Sequence, residues 1–314
     1  MHRSGTSLIA NFIHAIGIEM GQDLPQADEW NAAGYWESQT IRNIHDKILA
    51  ELNCDWHNPP LYFPADWWRK SSIQELKSAL VEFVGSKCKE KNQIYGFKDP
   101  RTAILLPVWR EIFDELHLEP LYILSVRHPG SVVASLARRD RLSLAHSQAL
   151  WLKTNLDALS YAGNNLRVVV DYDLWFESGL DQARTVTRSL NLPLPISEEL
   201  IANAVHQTVH SGLRHYSSPQ DETFFPVVTR FYALLRQAAM NGKISGETWT
   251  LMESFEKTKD LLRIWDELVA ERDAIINAQR KRLKNQKRLF TYIMIAVFVI
   301  FSLVLAFVLS GIHN

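Results

Sequence analysis

LYILSVRHPGSVVASLARR, residues 121–139, decides the reading of this chain. Its first six residues, Leu121 to Val126, form an apolar run interrupted only by Ser125, with the length and residue types of a buried strand. Arg127 closes the run, His128-Pro129-Gly130 supplies a turn, and the residues beyond carry a helix on which Ser135 stands. A strand passing through a short turn into a helix is the unit of a parallel sheet, and such sheets bind ligands beyond the carboxyl ends of their strands. Helix residues after the turn point back to that end, so Arg127 and Ser135 can share one anion.

Outward from this unit the pattern repeats. IYGF at 94–97 and LRVVV at 166–170 read as further buried strands, and helical spacing covers roughly 103–117, 130–139 and 143–163. The expected fold class is α/β, a three-layer parallel sheet with helices on both faces. At the N-terminus, Leu8, Ile9, Phe12, Ile13 and Ile16 recur at helical spacing and Gly17 stops the pattern, so MHRSGTS, residues 1–7, opens onto a helix. Arg3-Ser4-Gly5-Thr6-Ser7 is then a P-loop-like turn. Gly5 lets backbone approach a ligand, Ser4, Thr6 and Ser7 bring hydroxyls, Arg3 brings a forked charge, and the helix start brings N–H groups. The turn suits a phosphate or sulfate group. It lacks the first glycine and the lysine of the nucleotide-triphosphate loop.

Composition bounds the partners. Lys and Arg number 34 against 35 Asp and Glu, a formal charge of −1, so duplex nucleic acid is not an expected partner and any anion site must be local. Cys54 and Cys88 have neither metal-ligand spacing nor a disulfide framework, which points to a reducing compartment. Leu289 to Ile312 is uncharged and long enough to cross a bilayer, and RKRLKNQKR at 280–288 before it holds six basic residues and no acidic one. The expectation is a C-terminal membrane anchor with the body on the cytoplasmic side. Between them, 251–288 reads as a helical stalk with two adjacent apolar columns, Leu261, Leu268, Ile275 and Leu262, Val269, Ile276, Leu283. Its second heptad seam turns polar, so a clean coiled coil is not supported, while self-association stays open. The expected division is 1–250 catalytic body, 251–288 stalk and 289–312 transmembrane helix. Residues 21–72, rich in Trp, divide evenly between an acceptor lid and core. The histidines at 14 and 128 read as packing or exposed groups, and those at 45, 57 and 146 carry no placement.

Taken in order, the Arg3–Ser7 loop and the Arg127/Ser135 pair resemble the sulfotransferases that use 3′-phosphoadenosine 5′-phosphosulfate (PAPS), in particular the bacterial and carbohydrate-type branch. The resemblance spans about residues 1–175. GFKDPR at 96–101 and NAAGYWES at 31–38 also look like elements of that branch. It implies that Arg3, Ser4, Gly5, Thr6 and Ser7 hold the 5′-phosphosulfate and that Arg127 with Ser135 holds the 3′-phosphate. Transfer of a sulfuryl group to a hydroxyl or amine would leave adenosine 3′,5′-bisphosphate, with no metal. Arg3 then neutralises developing charge, Glu37 is the favoured base with Asp99 second, Lys98 touches the sulfuryl group, and Arg101 pairs with carboxylates or the acceptor. The acceptor expected is a glycan or glycolipid, the lipid-linked form being inferred from the membrane anchor and not from the resemblance. Many relatives carry Lys where this chain has Arg3. They also place a strand directly before the loop, where this sequence has only Met1 and His2, so the expected true start lies upstream or the product is shortened. The competing readings are a kinase-like phosphotransferase and a membrane-tethered nucleotide-binding or scaffold protein with a decayed site.

Overall fold

The computed structural model describes all residues except 26–33, 61, 90–93, 211–223, 258–278, 280 and 289–314. The chain divides into Met1–Lys257 and Thr258–Asn314. The transmembrane segment and most of the stalk thus lie outside the described residues. Among the described residues no helix is long and apolar enough to cross a membrane. In the second unit, residues 281–288 are helical and Leu283 is exposed.

The first unit is mostly helical around a two-stranded parallel sheet. Strand β1 is Tyr122–Val126 and β2 is Leu166–Asp171, paired in register from Ile123 opposite Val168 to Val126 opposite Asp171. Both strands become buried toward their carboxyl ends. The side chains alternate between two cores, as a pleated strand requires. Leu124, Val126 and Val169 enter one core with helices α5 (Pro129–Asp140), α6 (Leu144–Ala162) and α9 (Pro226–Asn241). Val168 and Val170 enter the other with α1 (Thr6–Ala15), α7 (Leu174–Leu190) and α8 (Glu198–Thr208). A third core joins α2 (Gln39–Glu51), α3 (Ser71–Lys87) and α4 (Thr102–Glu115).

The helices expected at 103–117, 130–139 and 143–163 stand as α4, α5 and α6, and two of the three expected strands stand as β1 and β2. The wider three-layer sheet does not. Segment 94–97 makes a single isolated parallel bridge, Tyr95 with Glu19, in place of a strand. The physical reason is its neighbour: a cavity separates this segment from β1, so no ladder forms along it. Of the Trp-rich stretch, Trp67 is fully buried in the third core, with Trp56 and Trp68 packed against that core, which favours core over lid.

Candidate functional site

The N-terminal turn is tight and opens directly onto α1. Arg3 and Gly5 both take left-handed backbone, at φ 63° and 78°, and Gly5 caps α1. Its carbonyl accepts from the Leu8 N–H at 3.0 Å, leaving the first-turn amides at the helix start aimed outward. Glycine is required at position 5 twice over: a side chain there would be strained by the φ angle and would strike the Tyr172 ring. Ser4 is fully buried, and its carbonyl accepts from Ser125 Oγ at 2.7 Å. That bond ties the loop to the carboxyl end of β1. Among the described residues the Ser4 hydroxyl is buried without a hydrogen-bond partner, an orphaned donor inside the turn.

Arg127 and Ser135 reach the same place from the other side. Arg3 Nε donates to Ser135 Oγ at 2.7 Å, across 132 positions of sequence. Arg127 donates to the Arg3 carbonyl at 3.4 Å and lies 4.4 Å above the Tyr172 ring. The Arg127 carbonyl in turn accepts from the Trp151 indole at 3.2 Å. The two motifs, expected as separate anion sites at two strand ends, therefore meet in one cradle. Within it Ser135 is 2% and Arg127 5% exposed, while Arg3, Gly5, Thr6 and Ser7 are partly exposed. His128 caps α5 by accepting from the Gly130 N–H at 3.1 Å and packs against Tyr232, a structural role as expected.

A second cluster lies beside the cradle. Ser7 Oγ donates to the Tyr35 carbonyl at 3.3 Å, which brings GYWES to the loop. Ser38 caps α2 and donates to Asp23 at 2.8 Å, and the Thr40 N–H donates to the same carboxylate oxygen at 2.9 Å. With Trp36 in left-handed backbone at φ 54°, the chain turns there and Glu37 is buried against Lys98 at 2.7 Å. Burial pushes the Lys98 ammonium below the usual lysine range, and Glu37 opposes this only in part. Arg101 pairs with Asp99 at 3.0 Å and Asp46 at 2.7 Å, and lies 4.0 Å from Glu37. Lys98, Asp99 and Thr6 line one cavity.

Asp99 is held differently from Glu37. Burial alone would raise its pKa, but His45 and Arg101 outweigh burial and hold the carboxyl well below the usual range. His45 is fully buried, with Nδ1 3.2 Å from Asp99 Oδ2, off the line of a hydrogen bond. Its Nε2 accepts from the Trp109 indole at 2.9 Å. An indole only donates, so the ring proton of the neutral imidazole sits on Nδ1, facing Asp99.

Every residue expected at the site thus falls in one of two adjoining clusters: Arg3, Ser4, Gly5, Thr6, Ser7, Arg127 and Ser135 in the cradle, and Glu37, Lys98, Asp99 and Arg101 in the ion-pair cluster. Sequence reading missed Tyr172, Ser125, His45, Asp46 and Trp109. The position of Tyr172, just past the run LRVVVD, was the available signal, since strand ends build the sites of parallel sheets. Compared with known proteins, the chain matches no family model, no curated protein and no solved structure.

Proposed function

We propose that the chain is a PAPS-dependent sulfotransferase that moves a sulfuryl group to a hydroxyl or amine of a glycan or lipid-linked acceptor. One observation carries the reading: Arg3 and Ser135, drawn from two motifs more than a hundred residues apart, are in hydrogen-bond contact. The residues suit the co-substrate. Ser4 offers a buried unpartnered hydroxyl, and Arg3 and Arg127 offer forked cations that suit phosphate and sulfate oxygens. PAPS supplies an activated sulfuryl group, and the chain's part is to hold its two charged ends and receive the acceptor's proton. Ser135 passes from Arg3 to the 3′-phosphate, which frees the Arg3 guanidinium for the sulfuryl end.

Of the two candidate bases, Asp99 is the one its surroundings speak against, which leaves Glu37. A carboxyl held as low as that of Asp99 has little appetite for a proton, whereas a base works best near the operating pH. Lys98, buried and depressed, stands next to Glu37 as the sulfuryl contact. In this reading Asp99 and Arg101 are the frame. The membrane anchor at Leu289–Ile312 and a cytoplasmic body are part of the same proposal and place the enzyme on the surface where a lipid-linked acceptor resides.

The test is retention on immobilised adenosine 3′,5′-bisphosphate. PAPS should release the protein and ATP should not; release by ATP would favour a phosphotransferase. Glu37→Gln should keep retention and lose turnover, and an active Glu37→Gln with a dead Asp99→Asn moves the base to Asp99. The second reading is a binding protein that holds the nucleotide without turning it over. Retention with no sulfuryl transfer to any of a panel of glycans, glycolipids and amines identifies it.

A further inference from the structure

Residues 281–288, KRLKNQKR, are helical, and all eight are exposed. With Arg280 they hold six basic groups and no acidic one. At 3.6 residues per turn, Lys281, Lys284, Lys287 and Arg288 fall within an arc of about 120° of the helix, because they are related by steps of three, four and seven. Arg282 stands on the opposite side with Asn285 and Gln286, and the exposed Leu283 borders the basic arc one turn before Lys287. Orienting a membrane span takes basic residues near its end but no shared face. Like charges three and four apart on a helix repel each other, so the shared face is a cost to the isolated helix that an anionic surface removes.

We infer that this basic face binds the headgroups of acidic phospholipids in the leaflet that the stretch adjoins. The inference rests on the membrane-anchor part of the proposed function, because the uncharged run that would cross the bilayer begins at Leu289, directly after Arg288. Position brings the face within reach. At a rise of about 1.5 Å per residue Lys281 and Arg288 lie about 10 Å apart along the helix, close to the Debye length of about 8 Å at physiological ionic strength. The whole face therefore feels the surface potential of an anionic leaflet even with the helix upright. Charge complementarity favours lipid over nucleic acid. The chain holds 34 basic residues against 35 acidic ones, so with the six of 280–288 set aside the balance is 28 against 35, a formal charge of −7. A long polyanion bound at the stretch is repelled by that remainder, whereas headgroups are small anions that the adjoining run brings to the stretch. Leu283 suits the same partner, since a leucine at the border of a basic face enters the boundary between headgroups and acyl chains.

The experiment places the full chain in nanodiscs of phosphatidylcholine, alone or with about 30% phosphatidylglycerol, and follows amide exchange at 281–288. Exchange should be at least about tenfold slower in the phosphatidylglycerol discs, and about 1 M salt should remove the difference, since the Debye length then falls to about 3 Å. Lys281→Gln, Lys284→Gln, Lys287→Gln and Arg288→Gln combined should abolish the difference, whereas Arg282→Gln should keep most of it. Both sides of a disc carry the same lipids, so the orientation of a variant does not enter the readout, and neither nucleotide nor turnover does. Equal exchange in the two discs would overturn the inference, as would a difference that survives the combined variant or that Arg282→Gln removes. Equal slowing by a DNA duplex added to the phosphatidylcholine discs would overturn it in favour of nucleic acid. A protein that enters neither disc fails the anchor reading and takes this inference with it; one that enters both with equal exchange fails this inference alone.

Discussion

Arg3 and Arg127 rest on a hydroxyl, a carbonyl and an aromatic ring, whereas Lys98 and Arg101, beside them, rest on carboxylates. The difference separates two uses of a buried cation. A hydroxyl or carbonyl partner orients a guanidinium without cancelling its charge. A carboxylate partner cancels the charge, and breaking such a pair leaves an ion stranded in a poorly solvated place. On the proposed function, the cradle exchanges partners while Asp99 and Arg101 keep theirs. Substitutions at Asp99 and Arg101 should then act on folding, and substitutions in the cradle on ligand affinity.

The largest expected effect is on the cluster side. Asp99→Ala removes the buried carboxylate that faces both Arg101 and His45, leaving Arg101 only its pairs with Asp46 and Glu37, and should cost about 3 kcal/mol of unfolding free energy by urea titration. A loss below about 1 kcal/mol would break the comparison, because the cluster would then be as exchangeable as the cradle. The same carboxyl fixes a pH dependence. Its folded pKa lies below the unfolded value of about 3.9, so its contribution is complete above that pH and is lost as pH falls through the folded value. Asp99→Asn should remove that part of the acid-limb slope.

Next comes Gly5→Ala. The added methyl strikes the Tyr172 ring and the residue must hold a left-handed φ, so roughly 2 to 4 kcal/mol should be lost. This is the one cradle position expected to behave like the cluster, because it acts on backbone and not on charge. Arg127→Ala should weaken affinity for adenosine 3′,5′-bisphosphate by about ten- to a hundredfold, or roughly 1.5 to 3 kcal/mol, measured by calorimetry. Its unfolding free energy should change by less than that of Asp99→Ala; the reverse order would show the cradle to be structural. The smallest effect is expected for Ser135→Ala, about 1 kcal/mol of affinity, since one hydroxyl is lost and both guanidinium groups remain.

The parts of this fold that were legible are those written locally. The run from Leu121 to Ser135 holds strand, turn and helix within a few residues, and its arginine and serine fall where that unit must put them. GYWES and GFKDPR were legible as segments, but the pairing of Glu37 with Lys98 depends on Asp23, Ser38 and the turn at Trp36, contacts that no periodicity encodes. His45 was opaque for another reason. On the apolar face of α2 it has the spacing of a packing residue, and only the meeting of α2 with α4 gives it Trp109 and Asp99 as neighbours. Segment 94–97 misled because strand propensity belongs to residues whereas a ladder belongs to pairs, and the pair was missing on one side.

The chain from Asp99 through His45 to Trp109 looks like a path for protons, yet its last member makes it an insulator. The indole gives its N–H to His45 and has no lone pair to accept one, so nothing arriving at Asp99 can be passed inward through the imidazole and out beyond α4. A proton taken up at Asp99 thus finds no relay through His45 and Trp109.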